Sequence, residues 1–244
     1  YEVGNIGAEK QEVLRQFTEF CLSTDVQKTA TRYGFNQKNE YTASEPEFDA
    51  VTLLSAQQLW KQEKDTGRPV VAVFVADISG SMAGTPLNQL KTSLISASQY
   101  ISSDNYIGLV SYDSDVYVNL PIGKFDLDQR SLFTGAVQDL SSGGATGTYD
   151  AVLQGMKMLQ DAKATIPDAK LMLFVLSDGE QNVGASLSRI ENIVSSLSIP
   201  VYTIGYNANL DELSELSAIN EAATINADSE DVVYKLGSLF NAQM

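Results

Sequence analysis

Residues 70–82 read Val-Val-Ala-Val-Phe-Val-Ala-Asp-Ile-Ser-Gly-Ser-Met. The unbroken apolar run from Val70 to Ala76 fits a strand buried on both faces, since a half-exposed strand would alternate apolar with polar residues. The run stops at Asp77, and Asp77, Ser79 and Ser81 then place a carboxylate and two hydroxyls at alternate positions, with Gly80 letting the backbone turn tightly enough for them to converge. Thr85 followed by Pro86 supplies a cap and a first residue for a helix. A buried strand, a polar turn and a helix in that order open a parallel α/β unit. Open sheets of this kind bind ligands at the carboxyl ends of their strands.

The same rhythm continues downstream. Ile107 to Val110, Leu171 to Leu176, Ile199 to Ile204 and Ala222 to Ile225 are further near-continuous apolar runs. Between or after them, Leu87, Leu90, Leu94 and Ile101 share a helical face, as do Leu187, Ile190, Val194 and Leu197, and Val232, Val233, Leu236 and Phe240. One pair breaks the rhythm: Ile107 to Ser111 and Val116 to Leu120 are separated only by Tyr112 to Asp115, too short for a crossover helix, so they read as a hairpin. Asp113 and Asp115 are then turn residues rather than metal ligands. The expected fold is a doubly wound α/β architecture, a mostly parallel sheet with one antiparallel edge strand, carrying an N-terminal helical extension.

That extension shows helical periodicity over Glu9 to Leu22, Asp25 to Tyr33 and Ala50 to Lys64, with a polar, linker-like stretch at Asn36 to Glu47. Cys21 shares a helical face with Val13, Leu14, Phe17 and Phe20, which predicts a buried structural thiol. Trp60 lies on the face of Leu53 and Ala56 and is expected to pack onto the main domain. The predicted organisation is a helical segment at 1–45, a linker with a helix at 46–67 and the α/β domain at 68–244.

Composition narrows the chemistry. With 31 acidic against 16 basic side chains among 244 residues, a net charge of −15 argues against nucleic acid and anionic lipid as partners. The absence of histidine and the single cysteine remove Ser-His-Asp and Cys-His nucleophiles and His-ligated metal sites, and with them most hydrolase chemistry. No stretch has the ~18 consecutive apolar residues of a membrane span. The chain opens at Tyr1 with no signal peptide and reads as a trimmed or processed piece.

Two further loops at strand ends resemble the first in chemistry: Gly143-Gly144-Ala145-Thr146-Gly147-Thr148-Tyr149-Asp150, and Ser177-Asp178-Gly179-Glu180. Alone, Asp-x-Ser-x-Ser is a polar turn before a helix; three such loops in order at one sheet edge suggest a cation site. Oxygen donors without nitrogen or sulfur suit Mg2+, with Mn2+ and Ca2+ as competitors. Together the three loops resemble the metal-ion-dependent adhesion site of the von Willebrand factor A family, over about residues 68–244. The resemblance implies Asp77, Ser79 and Ser81 as the first metal loop, Thr146 as the second and Asp178 as the third. Thr148 is a nearby rival to Thr146 and is more simply the N-cap of the following helix. Ser177 stands where the family usually has threonine, a departure expected to leave the metal unaffected.

By this resemblance the chain is a non-enzymatic binding module in which a partner protein's Asp or Glu completes the coordination of the metal. Two alternatives stand beside it: a structural or assembly module whose metal only stiffens the loops, and a Mg2+-dependent phosphatase of the haloacid dehalogenase type. The latter needs a second aspartate two residues after the first, where this chain has Ser79. Residues about 1–45 resemble the closing helices of bacterial extracytoplasmic solute-binding proteins, through Gln11 to Phe20, Leu22 to Lys28 and Arg32-Tyr33-Gly34-Phe35. That resemblance implies a bacterial protein outside the cytoplasmic membrane, lipid-anchored through an upstream region.

Overall fold

The computed structural model describes residues 8–33, 52, 55–56, 59, 68–178, 181–206, 210–220, 222–227 and 232–243. The chain divides into two compact units, Tyr1–Lys64 and Asp65–Met244. The described part of the first unit contains α1 (Ala8–Leu22) and α2 (Thr24–Arg32), which pack on each other. Here the expectation for Cys21 is corrected. Cys21 is only half-buried, and Val13, Phe17 and Phe20 are 68%, 62% and 62% exposed. The apolar face exists, but α2, which packs on α1, leaves Val13, Phe17 and Phe20 uncovered. Trp60 and the stretch 36–47 lie outside the described residues.

The second unit contains, in chain order, β1 (Val70–Asp77), α3 (Thr85–Ala97), β2 (Tyr106–Tyr112), β3 (Val116–Lys124), α4 (Leu127–Asp139) and α5 (Thr148–Thr165). It continues with β4 (Lys170–Ser177), α6 (Leu187–Leu197), β5 (Val201–Tyr206), α7 (Asp211–Ala218), β6 (Thr224–Ala227) and α8 (Val232–Gln243). The strands form one sheet in the order β3-β2-β1-β4-β5-β6, parallel throughout except for β3, which pairs antiparallel with β2 at the edge. This is the expected mixed α/β sheet with its antiparallel edge hairpin. In the hairpin turn Asp113 Oδ1 accepts from the Asp115 amide at 2.9 Å, as turn aspartates do.

Strand parity builds two cores. Along β1, Ala72, Phe74 and Ala76 face the layer of α3, α4 and α8, while Val71, Val73 and Val75 face the layer of α5, α6 and α7. All eight residues of β1 are buried, which explains its unbroken apolar run. On the first face Phe174 stacks on Phe74 and Tyr202, each at 5.2 Å between ring centroids, and meets Phe240 edge-on at 5.3 Å. On the second, α5 lies close to the sheet at Gly155, where an added Cβ would come 2.5 Å from Leu173 Cδ1.

Several local expectations change. α3 is preceded by Gly84 at φ 80°, with Thr85 already inside the helix, so the backbone freedom of glycine rather than a threonine side chain makes the entry. Val233 on α8 is exposed while Leu236 and Phe240 are buried, because a single helix face is too narrow to cover all of them. α4 and α7 were not anticipated. No helix among the described residues is long and apolar enough to cross a membrane.

Replacing Phe174 with Ala should lower unfolding free energy by about 3–5 kcal/mol, as for other buried aromatic truncations, when measured by urea denaturation. Leu127→Ala, at a position 82% exposed, should change it by less than about 0.5 kcal/mol.

Candidate metal centre

The parity that sorts the core also aims the polar ends of the strands. Asp77 ends β1 in register with Tyr112, the last residue of β2, and Ser177 ends β4 on the other side. Following Val75, Val110 and Val175 by two residues each, Asp77, Tyr112 and Ser177 point into the layer of α5 and stand abreast on three adjacent strands. Asp77 is fully buried. Its Oδ1 accepts from the Ser79 amide at 2.8 Å, closing a tight turn, and its Oδ2 accepts a short hydrogen bond from Ser177 Oγ.

From there the network runs outward. Ser79 Oγ and Ser81 Oγ are 3.0 Å apart, and Ser81 Oγ donates to Asp178 Oδ1 at 2.9 Å. The second loop is clasped to the first by its backbone: Gly143 N donates to Ile78 O at 2.8 Å, and Gly80 N donates to Gly144 O at 3.0 Å. Gly144 adopts φ +73°, and a Cβ there would sit 3.0 Å from the Asp113 side chain, so glycine is required twice over. The hairpin turn props this loop from below, since Ala145 N donates to Ser114 Oγ at 2.9 Å and Gly147 N to Asp113 O at 2.9 Å.

Thr146 is buried and held at both ends of its peptide. Its amide donates to Asn182 Oδ1 at 2.9 Å, and its carbonyl accepts from Asn182 N at 3.0 Å and Val183 N at 3.2 Å. Side-chain and Asx-turn hydrogen bonds therefore join Asp77 to Ser79, and Ser79 through Ser81 to Asp178. Thr146 is brought alongside by its backbone, without a side-chain bond to the other four among the described residues. Thr148 is not the helix cap expected of it: Gly147 precedes the helix, and Thr148 Oγ1 donates to the Tyr112 hydroxyl at 3.2 Å. Asp150 is exposed and accepts from Ala185 N at 3.2 Å, while Gly179 and Glu180 lie outside the described residues.

Three contributors escaped the sequence reading, and a fourth, Ser177, figured there only as a departure without effect on the metal. Ser177 serves the Asp77 carboxylate directly. Tyr112 stands in register beside it on β2, its hydroxyl accepting from Thr148 Oγ1 at 3.2 Å. Asn182 grips the Thr146 peptide, and Gln181 Oε1 accepts from Tyr149 N at 2.9 Å while the Gln181 backbone N–H donates to Glu212 Oε2 at 3.1 Å. The one available signal was a pair of side-chain amides directly after the third loop.

Burial raises the pKa of both carboxyls. For Asp77 the nearby charge of Asp178 adds to this, while the hydrogen bonds from Ser177 and Ser79 oppose it. For Asp178 the hydrogen bond from Ser81 opposes it. Neither carboxylate has an ion-pair partner among the described residues. No group of three or more Asp, Glu, Cys or His side chains converges among those residues either. The cluster is instead two carboxylates plus neutral hydroxyls, a donor set that fits one hard divalent cation in both charge and atom type.

The model of the von Willebrand factor type A domain matches residues 72–241. Inter-alpha-trypsin inhibitor heavy chain H3 of Bos taurus is 32% identical over 158 residues, covering 59% of this chain and 17% of that protein, so the chain spans under a fifth of the length of that relative. Among solved structures, a von Willebrand factor type A protein from Catenulispora acidiphila superposes with a TM-score of 0.64 at 19% identity, covering 71% of this chain and 42% of the other. The open conformation of the pilus adhesin SpaC from Lactobacillus rhamnosus GG gives 0.61 at 18% identity, covering 73% and 30% respectively. At these identities the two structures speak to fold alone, and their fold is the one built above. With the family model spanning most of the second unit, the chain belongs to the von Willebrand factor type A domain family.

Proposed function

We propose that the second unit is a metal-dependent protein-binding module in which Asp77, Ser79, Ser81, Thr146 and Asp178 hold one divalent cation, Mg2+ first, with Mn2+ or Ca2+ able to substitute. The observation that carries this reading is the convergence of two carboxylates without a cationic partner on a run of hydroxyls at the carboxyl edge of the sheet. Asp77 and Asp178 supply the negative charge, and Ser79, Ser81 and Thr146 add oxygen donors without adding charge. A divalent ion balanced by only two carboxylates supplies an electrophilic position for an external carboxylate oxygen. The partner is accordingly a protein presenting Asp or Glu. Asp77, buried and hydrogen-bonded on both oxygens, acts through its fixed charge. Ser81 and Asp178, nearer solvent, form the side at which a partner arrives.

Family membership supports an interaction role, and we place this module at a bacterial surface. We read residues about 1–45 as the closing helices of a solute-binding type of domain, which agrees with an extracytoplasmic location. The exposed apolar face of α1 is consistent with a helix made to be covered by more chain.

Calorimetric titration of chelator-stripped protein with Mg2+ or Mn2+ should give a single saturable site, lost in Asp77→Ala and Asp178→Ala variants that keep their circular dichroism. Absence of saturable binding in the parent, with and without added acetate, would remove the reading. Metal at about 100 times Kd should stabilise the folded protein by about 2.7 kcal/mol. For a unit of this size that means a thermal midpoint raised by roughly 5–10 °C, reversed by chelator. Ser79→Ala should abolish metal-dependent retention on an immobilised Asp-containing peptide. Equal retention with and without chelator would point to docking elsewhere on the molecule.

A further inference from the structure

The acidic character of the chain is inverted at one place. At the amino ends of the strands, opposite the candidate metal centre, a cavity of about 420 Å³ opens between the last turns of α5 and α6, over the first residues of β4. Arg68, Lys163 and Lys170 line it, and no Asp or Glu does. Three of the 16 cationic side chains in a chain with 31 acidic ones thus share one concave wall. At about 3.3 Å per residue along β1, this end of the sheet lies ~23 Å from Asp77. That is more than two Debye lengths at physiological salt, so the carboxylates of the metal centre do not neutralise the cavity.

The three cations are not committed elsewhere. Arg68 Nε donates to the Asp168 carbonyl at 2.6 Å, which holds the guanidinium in place and leaves its two terminal nitrogens without an acceptor among the described residues. The ammonium groups of Lys163 and Lys170 have no ion-pair or hydrogen-bond partner among those residues. Lys170 is half-buried, where an unpaired charge is costly. Lys163 stands in the last turn of α5 and complements the negative end of that helix, a role that accounts for one cation and not for three.

The rest of the wall selects the kind of anion. Leu171, Leu197 and Ile199 contribute apolar surface, and Gln160 and Ser198 add neutral hydrogen-bonding groups. Ser198 holds φ 51°, in the left-handed region where a helix more often ends on glycine, and so keeps a hydroxyl at the cavity. A space of this order suits a small molecule, and the net charge of −15 repels long polyanions. A guanidinium with its fork free, beside two ammonium groups, matches the several oxygens of a phosphate. We propose that this cavity binds a small phosphate monoester, with the phosphate held by Arg68, Lys163 and Lys170 and the organic part against Leu171, Leu197 and Ile199. The site uses none of the candidate metal donors.

The test is a calorimetric titration of the full chain with phenyl phosphate, inorganic phosphate and acetate. The protein is first stripped of metal and then freed of chelator, so that no cation at the other end of the sheet captures the anion. Phenyl phosphate should bind at one saturable site, more tightly than inorganic phosphate, and acetate should give no saturable heat. Lys163→Gln and Lys170→Gln should each weaken phenyl phosphate by roughly 10–100-fold, the size of one lost hydrogen bond between charged groups. Their thermal midpoints without anion should stay within a few degrees of the parent. Lys91→Gln, on α3, should bind as the parent does. No saturable binding of phenyl phosphate would overturn the proposal. So would a loss in Lys91→Gln equal to that in the cavity variants, which marks a diffuse attraction to positive charge. Cations that serve only the helix ends would show as lowered midpoints in Lys163→Gln and Lys170→Gln with affinity unchanged, and that result would overturn it as well.

Discussion

β1 has no side that faces water. It lies between two parallel neighbours, its alternate residues divide between two apolar layers, and its chain can meet solvent only at its ends. Polar chemistry therefore gathers where the strand stops, and strand parity fixes which way each group points. The alternation that sends Val71, Val73 and Val75 toward α5 sends Asp77 there too. A slip of one residue in the pairing of β1 would turn the carboxylate into the opposite, aromatic layer, away from Ser177. The register of the sheet and the chemistry of the candidate site are thus one constraint seen at two scales.

Burying a carboxylate is costly unless its lone pairs are used. Here the first loop, through the Ser79 amide, and Ser177 at the start of the third share that task, and the first loop is locked to the second by paired peptide hydrogen bonds between Ile78 and Gly143 and between Gly80 and Gly144. The loops are therefore rigid before any ligand arrives. Rigid loops on a fully buried sheet hold donors at fixed separations, which favours one ion over a scatter of weak contacts. Specificity toward a partner is left to the exposed side chains around them.

The sheet was legible in the sequence because strands buried on both faces leave long apolar runs, and the edge hairpin was legible because four residues cannot cross over a sheet. α4 was not legible because it hides little of itself: Phe133 and Val137 are buried, while Leu127 and Leu132 face solvent and blur the period. Its one clear mark, Asp126 accepting from Gln129 N at 3.0 Å, is a helix cap that the polar neighbourhood disguises. At the site, residue types and their spacing named the candidate donors, but not what holds them. Ser177 acts on Asp77 from a strand distant in sequence, and Asn182 grips Thr146 from another loop. Such pairings arise only once the sheet is assembled. Cys21 misled for the converse reason, since an apolar helical face predicts burial only where another element comes to cover it.

The sheet ends on one side at β3, whose pairing with β2 is interrupted by two register shifts around Leu109. Pro121 sits within that stretch and has no N–H to offer. At the other end β6 is only four residues long. One border is kinked and missing a donor, the other is nearly too short to copy, so neither is a good template for an additional strand. This restricts the ways in which another chain can join the sheet. Backbone zippering from sheet to sheet is discouraged, and contact is left to loops and helix surfaces, where side-chain identity decides what adheres to what.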